Sequence, residues 1–487
     1  MLRKRKINVH IIGAGQIGSA LAAQLCQDGC SVTVVDTDAY VVNALSNSLD
    51  IICYRGNGAS YATLQEVGAA DSDIFISVTD SDELNILACL TAHMMGAKHT
   101  VARVRNLEYA KHADFYRDQL GLSMTINPEL AAAQEISRVL RFPSATRVEV
   151  LAKGRAELVE MVLSPASPLC GLSLHEFGQK MAIDLLICAV VRNGEVTIPK
   201  GHFVLAAGDT LYLTGAASAF REAFSKLGMP VKPSHSVLLA GADRISYYLA
   251  EQLKREGVRV SVVEEKHEKA VEFCRNNPQC AVMNDNAIAY FDSMSDADIR
   301  STDAFVSLTA NDEFNVVAGM YAASLHIPRV ISRLSSNSKL KLLQRDDRIT
   351  TVSQEDTAVD IILGYARSLM NAEGQDAVES LYRLMDGRLE FLEFRITEHA
   401  SHLNQPIRLW RIKPNTLIAY IIRDGRTIVP RGDDVICPGD RVLVVTSHQK
   451  LVRLEDIFES SKEAAAGLLT SQEFSISSGK SSSPRHS

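Results

Sequence analysis

The chain has 487 residues, 46% of them hydrophobic and 22% charged, with 51 lysines and arginines against 58 aspartates and glutamates, for a formal net charge of −7. That length and balance fit about three to four globular domains with sizeable cores and exclude disorder over most of the chain. The negative charge and the 6% aromatic content provide neither a basic face nor stacking platforms, so no nucleic acid is expected as a partner.

Nine cysteines lie mostly in apolar contexts, with no C-x-x-C pair and no accompanying histidine pair, so they read as reduced thiols and no metal site is expected. No apolar run reaches the roughly 18 residues of a membrane span. The longest candidate, Leu185 to Val191, follows Asp184. The basic start Arg3-Lys4-Arg5-Lys6 runs straight into a strand pattern and reads as a solvated terminus.

From Lys6 to about Asn106, strand and helix patterns alternate. Strands are expected at Asn8–Ile12, Ser31–Val35, Ile51–Tyr54, Ile74–Val78 and Thr100–Val104. Helical segments are expected at Gly15–Gln27, Tyr40–Asn47, Leu64–Val67 and Glu83–Met95. The strands are continuous apolar runs, as buried parallel strands are, so the fold class is α/β with a doubly wound, Rossmann-like parallel sheet.

The first strand runs into Gly13-Ala14-Gly15-Gln16-Ile17-Gly18, a G-x-G-x-x-G pattern at a strand-to-helix turn. Gly13 permits the turn, Gly15 lets backbone approach a pyrophosphate, and Gly18 lets helix and strand pack closely. Asp36 closes the second strand 18 residues after Gly18. A carboxylate there can accept the ribose hydroxyls of an adenine nucleotide and would repel a 2′-phosphate, as would Asp38, which favours NAD over NADP. Thr79-Asp80-Ser81-Asp82-Glu83 is a helix start with its own capping residues, and Thr79 and Asp80 also fall at the strand end where ligands bind in such sheets. Arg103 lies in an otherwise apolar strand and needs a partner, either a carboxylate of its own domain or a ligand phosphate. Asn127-Pro128 opens an apolar-faced helix, packed on its own domain or used for dimerisation.

After Pro143 the pattern changes to a small α+β unit. Arg147–Leu151 and Ala156–Val162 form an expected hairpin around Lys153-Gly154, and Leu174–Lys180 a short helix. Leu185–Arg192 and Val196–Pro199 flank the hairpin turn Asn193-Gly194, and Thr210–Thr214 is a further strand.

The whole arrangement then recurs. Gly13 matches Gly241, Gly15 matches Asp243, Gly18 matches Ser246 and Asp36 matches Glu264, all at a spacing of 228. Thr79 to Asn85 matches Thr309 to Asn315, Arg103 matches Arg333, and Arg192-Asn193-Gly194 matches Arg423-Asp424-Gly425. The expected division is residues 1–125 and 234–352 as nucleotide-binding-type domains, 145–228 and 372–457 as small α+β domains, and 460–487 as a serine-rich disordered tail. Asp243 sets a negative side chain where backbone must meet phosphate, so the second loop is degenerate and its domain mainly structural.

The stretches Gly13 to Gly18, Val34-Val35-Asp36, Thr79 to Asn85 and Ala102-Arg103-Val104-Arg105 resemble the RCK (KTN) family, and the resemblance covers about Lys6 to Phe458. Each half looks like an RCK N-terminal nucleotide-binding domain followed by an RCK C-terminal domain, and the tandem is similar to the regulatory subunits of Trk-type potassium uptake systems. The resemblance implies a non-enzymatic regulator, cytoplasmic and peripheral on the inner face of the cell membrane. It would bind NAD(H), or ATP or ADP, and gate a potassium-translocating membrane subunit, itself assembled as a homo-oligomer, a dimer or tetramer. It also implies that Gly13, Ala14, Gly15, Gln16 and Ile17 form the phosphate loop, with Asp36 on ribose, Asn57, Thr79 and Asp80 at the cleft, and Arg103 facing phosphate. The other reading of a lone glycine loop is an NAD-dependent oxidoreductase. It would require a substrate domain with an acid/base group, and the small unit's His175 and His202 sit in no catalytic pattern.

Overall fold

The computed structural model describes residues 6–106, 109, 115, 119–141, 147–151, 156–181, 183, 185–215, 217–226, 234–335, 349–371, 378–384, 388–448, 451 and 453–459. The basic residues Arg3, Lys4 and Arg5, the expected turn at Lys153-Gly154, Asp184 and the serine-rich end from residue 460 lie outside them.

The first part contains β1 (Asn8–Ile12), α1 (Gln16–Gln27), β2 (Ser31–Asp36), α2 (Ala39–Ser48), β3 (Ile52–Arg55), α3 (Tyr61–Glu66), β4 (Ile74–Ser77), α4 (Asp82–Met95), β5 (His99–Arg103), β6 (Met124–Ile126) and α5 (Pro128–Arg141). The six strands form a parallel sheet in the order β3-β2-β1-β4-β5-β6. Every residue of β4 is buried, as the continuous apolar run requires of a strand covered on both faces. The strand order reverses between β1 and β4, and a crevice opens there at the C-terminal strand ends. The three-residue β6 was not among the expected strands, because so short a segment carries no periodic signal.

Next come β7 (Arg147–Leu151), β8 (Ala156–Val162), α6 (Leu174–Met181), β9 (Leu185–Arg192), β10 (Glu195–Thr197), β11 (Thr210–Gly215) and α7 (Ala217–Lys226). The strands form a five-stranded sheet in the order β10-β9-β11-β8-β7, with antiparallel pairing of β9 to β10 and of β11 to both β8 and β9. Asn193 and Gly194 both have positive φ, 54° and 80°, the backbone a two-residue hairpin turn needs.

The second nucleotide-type part contains β12 (Ser236–Ala240), α8 (Arg244–Arg255), β13 (Arg259–Val263), α9 (His267–Asn276), β14 (Ala281–Met283), α10 (Ala287–Ser293), α11 (Asp296–Ser301), β15 (Ala304–Ser307), α12 (Asp312–Ser324), β16 (Arg329–Arg333), β17 (Ile349–Val352) and α13 (Gln354–Asn371). Its parallel sheet, β14-β13-β12-β15-β16-β17, repeats the first strand for strand. A last sheet contains β18 (Val378–Leu384), β19 (Leu389–Arg395), β20 (Thr416–Arg423), β21 (Arg426–Ile428) and β22 (Arg441–Thr446) in the order β18-β19-β22-β20-β21, the order of the first small sheet read from its other edge. In both small sheets a buried aspartate closes a bidentate ion pair. Arg192 Nε meets Asp209 at 2.7 Å, and Arg423 Nε meets Asp440 at 2.9 Å.

The described residues group into two compact units, one from 1–148 and 230–366 and the other from 149–229 and 367–487. The first unit contains both parallel sheets, and it settles where the helix after Pro128 goes. Ala132, Ala133, Ile136, Val139 and Leu140 pack into the core of the second sheet's domain with Val237, Leu239, Ile245 and Leu249. So α5 neither stays on its own domain nor is left over for a second chain at this face. Burying the three large side chains is worth roughly 5–8 kcal/mol, enough to make α5 a fixed element of the neighbouring domain. Asn127 Nδ2 donates to the Tyr248 hydroxyl at 2.8 Å and Arg141 pairs with Glu256 at 3.0 Å at the two ends of the contact. The exchange is reciprocal, since Tyr365 of α13 sets its ring edge-on to His99 of β5, centroids 6.5 Å apart. In the second unit the two small sheets share one core, with Leu158, Cys188 and Tyr212 against Phe391, Tyr420 and Leu443.

Candidate functional site

The crevice over β1 and β4 is a cleft of about 600 Å³. Of the residues singled out from sequence, Gly13, Gly15, Gln16, Ile17, Asp36, Asn57, Thr79, Asp80 and Arg103 line it. The three glycines are held by three different demands. Gly13 has φ of +96°, and a Cβ there would press on Thr79 N at 3.0 Å. A Cβ on Gly18 would overlap the Gly13 carbonyl oxygen at 1.9 Å, so Gly18 packs helix on loop and does not face the cleft. A Cβ on Gly15 would meet no atom within 4 Å. The fold therefore does not require glycine at 15, whereas a ligand seated on the loop would. Gly15 is the N-cap of α1, no side chain caps the helix, and its first turn carries no acidic residue, which leaves that end available to an anion.

Asp36 is fixed by two backbone amides, Ala14 N to Oδ2 at 2.6 Å and Asp38 N to Oδ1 at 2.8 Å. The Ala14 amide is thus spent on the carboxylate and is not aimed at a phosphate. Each carboxylate oxygen keeps a second acceptor position. Asp38 accepts from Tyr40 N at 2.8 Å and caps α2. Asn57 Oδ1 accepts from Ala59 N at 3.0 Å, and Gly58 closes the loop tightly against β1, because a Cβ at Gly58 would lie 2.0 Å from Ile12 Cγ2.

Asn85, fully buried, ties the other wall together. Its Oδ1 accepts from Ser77 Oγ at 2.9 Å, Thr79 N at 2.8 Å and Thr79 Oγ1 at 2.7 Å, and its Nδ2 donates to the carbonyls of Thr79 and Arg103, both at 3.0 Å. Ser81 caps α4 by accepting from Leu84 N at 3.2 Å. The Arg103 side chain is 12% exposed, while that of Asp80, 3.4 Å away, is 96% exposed. Arg103 Nε is buried with no hydrogen-bond partner among the described residues, as is the Nε of its counterpart Arg333. Burial, and then the charge of Arg105, hold the guanidinium below its ordinary pKa.

Glu355, at the start of α13, also lines this cleft. It comes from the second half of the chain, and no reading of the first half alone could have found it. The signal was in the repeat, where Glu355 matches Glu129 beside Asn127-Pro128. Burial holds its carboxyl above the ordinary glutamate value, opposed by the charges of Arg333 and Arg103.

The second cleft, about 350 Å³, is lined by Gly241, Asp243, Glu264, Lys269, Asp285, Asn286, Thr309 and Phe314, among others. Glu264 repeats the double anchor of Asp36, with Ala242 N at 2.8 Å and Lys266 N at 2.8 Å. Asn315 repeats every bond of Asn85, from Ser307, Thr309 and Arg333. Asp243 is ion-paired to Lys269, whose ammonium that bond holds above its ordinary pKa. Lys269 occupies the position of Val41 and escaped the sequence reading, since a lone lysine on a helix looks like any solvated one.

The sheet order, the first glycine turn and the carboxylate at the end of β2 define a Rossmann-like α/β domain whose sheet is present twice, each copy followed by a small β-rich domain. TrkA-N domains match residues 9–128 and 237–354, and TrkA-C domains match 158–228 and 391–459. The chain belongs to the family of tandem TrkA-N and TrkA-C proteins. It is 28% identical over 457 residues to the Trk system potassium uptake protein TrkA homolog 1 of Methanosarcina mazei, covering 92% of this chain and 99% of that one. It is 26% identical to Trk system potassium uptake protein TrkA of Haemophilus influenzae, covering 93% and 99%. Among solved structures it shares its fold with the GsuK channel bound to NAD, at a TM-score of 0.58 and 18% identity over 96% of this chain and 80% of that one. No helix among the described residues is long and apolar enough to cross a membrane.

Proposed function

We propose that the chain is a regulatory subunit that binds NAD(H) or an adenine nucleotide such as ADP or ATP in the first cleft and gates a potassium-translocating membrane subunit. It would do so on the inner face of the membrane, as a homo-oligomer, and without turning the nucleotide over. In this reading the diphosphate lies on Gly15, Gln16 and Ile17 and meets Arg103, and Asp36 takes the ribose hydroxyls. The observation that carries the reading is Gly15, a glycine open to the cleft that the surrounding fold does not require. The names of the relatives supply the transport system.

A ligand moves an equilibrium only by binding two states unequally. Glu355 offers the means, because a phosphate at Arg103 would enter the cleft beside a carboxylate that belongs to the other nucleotide-type domain. Occupancy of the cleft would then bias how α13 sits on the first domain.

The test is titration of the full chain with NAD, NADH, ADP and ATP by calorimetry, repeated with Gly15→Asp. Loss of binding in the variant, and potassium flux through a co-reconstituted Trk-type membrane subunit that responds to the nucleotide, are the expected results. Unchanged binding in the variant sinks the site. Sustained NADH oxidation with any small carbonyl substrate overturns the regulatory reading.

A further inference from the structure

The second cleft keeps one half of a nucleotide site and has closed the other. In the half that would face a sugar, Glu264 is held by the Ala242 and Lys266 amides, both at 2.8 Å, as Asp36 is held by Ala14 and Asp38. One amide on each oxygen leaves one acceptor position on each for a hydroxyl donor, the arrangement that suits a vicinal diol. Next to it, Ala240 stands where the first half has Ile12, and the strand registers set Ala287 where it has Gly58 and Asn286 where it has Asn57. The smaller strand residue makes room for the Ala287 methyl, and Asp285 adds a carboxylate to the cleft where the first half has Gly56. Phe314 stands in place of Leu84 and contributes an aromatic ring to the lining.

The half that would face phosphate is filled from within. The Asp243 carboxylate occupies the side of the loop that is open at Gly15, and Lys269 reaches across the cleft to pair with it. Arg333, the counterpart of Arg103, donates from Nη1 to the Thr309 carbonyl at 3.3 Å and is not part of the lining. An incoming phosphate would meet a carboxylate in place of a bare amide, and the lysine that could answer it is already engaged. The cleft is also the smaller of the two, about 350 Å³ against about 600 Å³.

We propose that the second cleft is a binding site for a phosphate-free nucleoside of the adenosine type. Its ribose hydroxyls are held by Glu264, and the Asp243–Lys269 pair excludes the phosphorylated forms that the first cleft accepts. The proposal rests on the reading of Asp36 as a ribose-binding carboxylate, and the experiment separates the two. The full chain carrying Gly15→Asp and Asp36→Ala lacks both halves of the first site. Calorimetric titration of this variant with adenosine is expected to show one site per chain, with ADP at least about tenfold weaker. Adding Asp243→Gly, which restores the residue of the first half, should raise ADP affinity about tenfold and leave adenosine within about threefold. Adding Glu264→Gln instead should weaken adenosine about tenfold, with circular dichroism melting used to check that the loop it anchors still folds. Failure of adenosine to bind the double variant, or ADP binding there as tightly as adenosine, overturns the proposal. Unchanged NAD and ADP binding between the wild-type chain and the double variant would instead refute the first-site reading.

Discussion

Asn85 and Asn315 make the same five hydrogen bonds in two domains of one unit, so the chain contains its own control for what that asparagine does. Asn85→Asp keeps the acceptor for Ser77 and Thr79 but removes the two donors, and turns an oxygen toward the Thr79 and Arg103 carbonyls, each now 3.0 Å from Nδ2. Leaving a buried acceptor unmet costs about 1–3 kcal/mol, so two give about 4 kcal/mol. Asn315→Asp faces carbonyls at 2.8 and 3.0 Å and should cost the same within about 1 kcal/mol. The consequences for binding differ. Thr79 and Arg103 both line the first cleft, so Asn85→Asp should weaken NAD about tenfold, while Asn315→Asp leaves it within about threefold. Urea unfolding followed by circular dichroism measures the first effect and calorimetry the second. The single tryptophan, Trp410, belongs to the other unit, so its fluorescence reports whether that unit stays intact. Stabilities that differ by more than about 2 kcal/mol between the two variants, or equal losses of NAD affinity, would refute the reasoning.

Two further outcomes follow from the same contacts. Gly58→Ala should destabilise the first domain by about 1–3 kcal/mol, because its Cβ would lie 2.0 Å from Ile12 Cγ2, and Ile12→Ala alone by about 2–5 kcal/mol. The double variant recreates the Ala240 and Ala287 pair, so thermal denaturation should show it at least about 1 kcal/mol more stable than the sum of the singles, and simple additivity would contradict the repeat argument. Burial holds the Glu355 carboxyl above its ordinary value, so lowering the pH neutralises it early and removes a negative charge from the cleft that a diphosphate would enter. NAD, whose diphosphate does not titrate in this range, should therefore bind several-fold tighter at about pH 5 than at about pH 8, and Glu355→Gln should bind tightly and flatly across it. A slope that survives in Glu355→Gln would assign it to another group.

Much of this was legible in the chain, for identifiable reasons. The Asn193-Gly194 turn was readable because only a few residues tolerate two successive positive φ angles, here 54° and 80°. Arg103 was readable as an anomaly because a charge inside an apolar strand must be answered by something. Glu355 was readable only through its match to Glu129 in the repeat. The destination of α5 was not readable, because periodicity shows which face of a helix is apolar and not which domain receives it. Nor was Lys269, whose pairing depends on a loop 26 residues away in sequence.

The two glycine loops show why the pattern must be taken apart before it is used. Gly13, Gly15 and Gly18 look equivalent as letters, yet the backbone demands only the first, which keeps φ near +100° in its copy, Gly241. Packing alone favours the third, and in the second loop that position is Ser246, whose hydroxyl donates to the Gly241 carbonyl at 2.6 Å. Nothing in the fold asks for the second, and its copy is Asp243, with α8 formed as α1 is. What the chain geometry requires is present in both loops, and what only a ligand requires is present in one. Gly15 is therefore the residue whose substitution separates folding from binding, and a Gly15 variant that folds normally yet no longer takes up a nucleotide is the expected signature of a loop still in use.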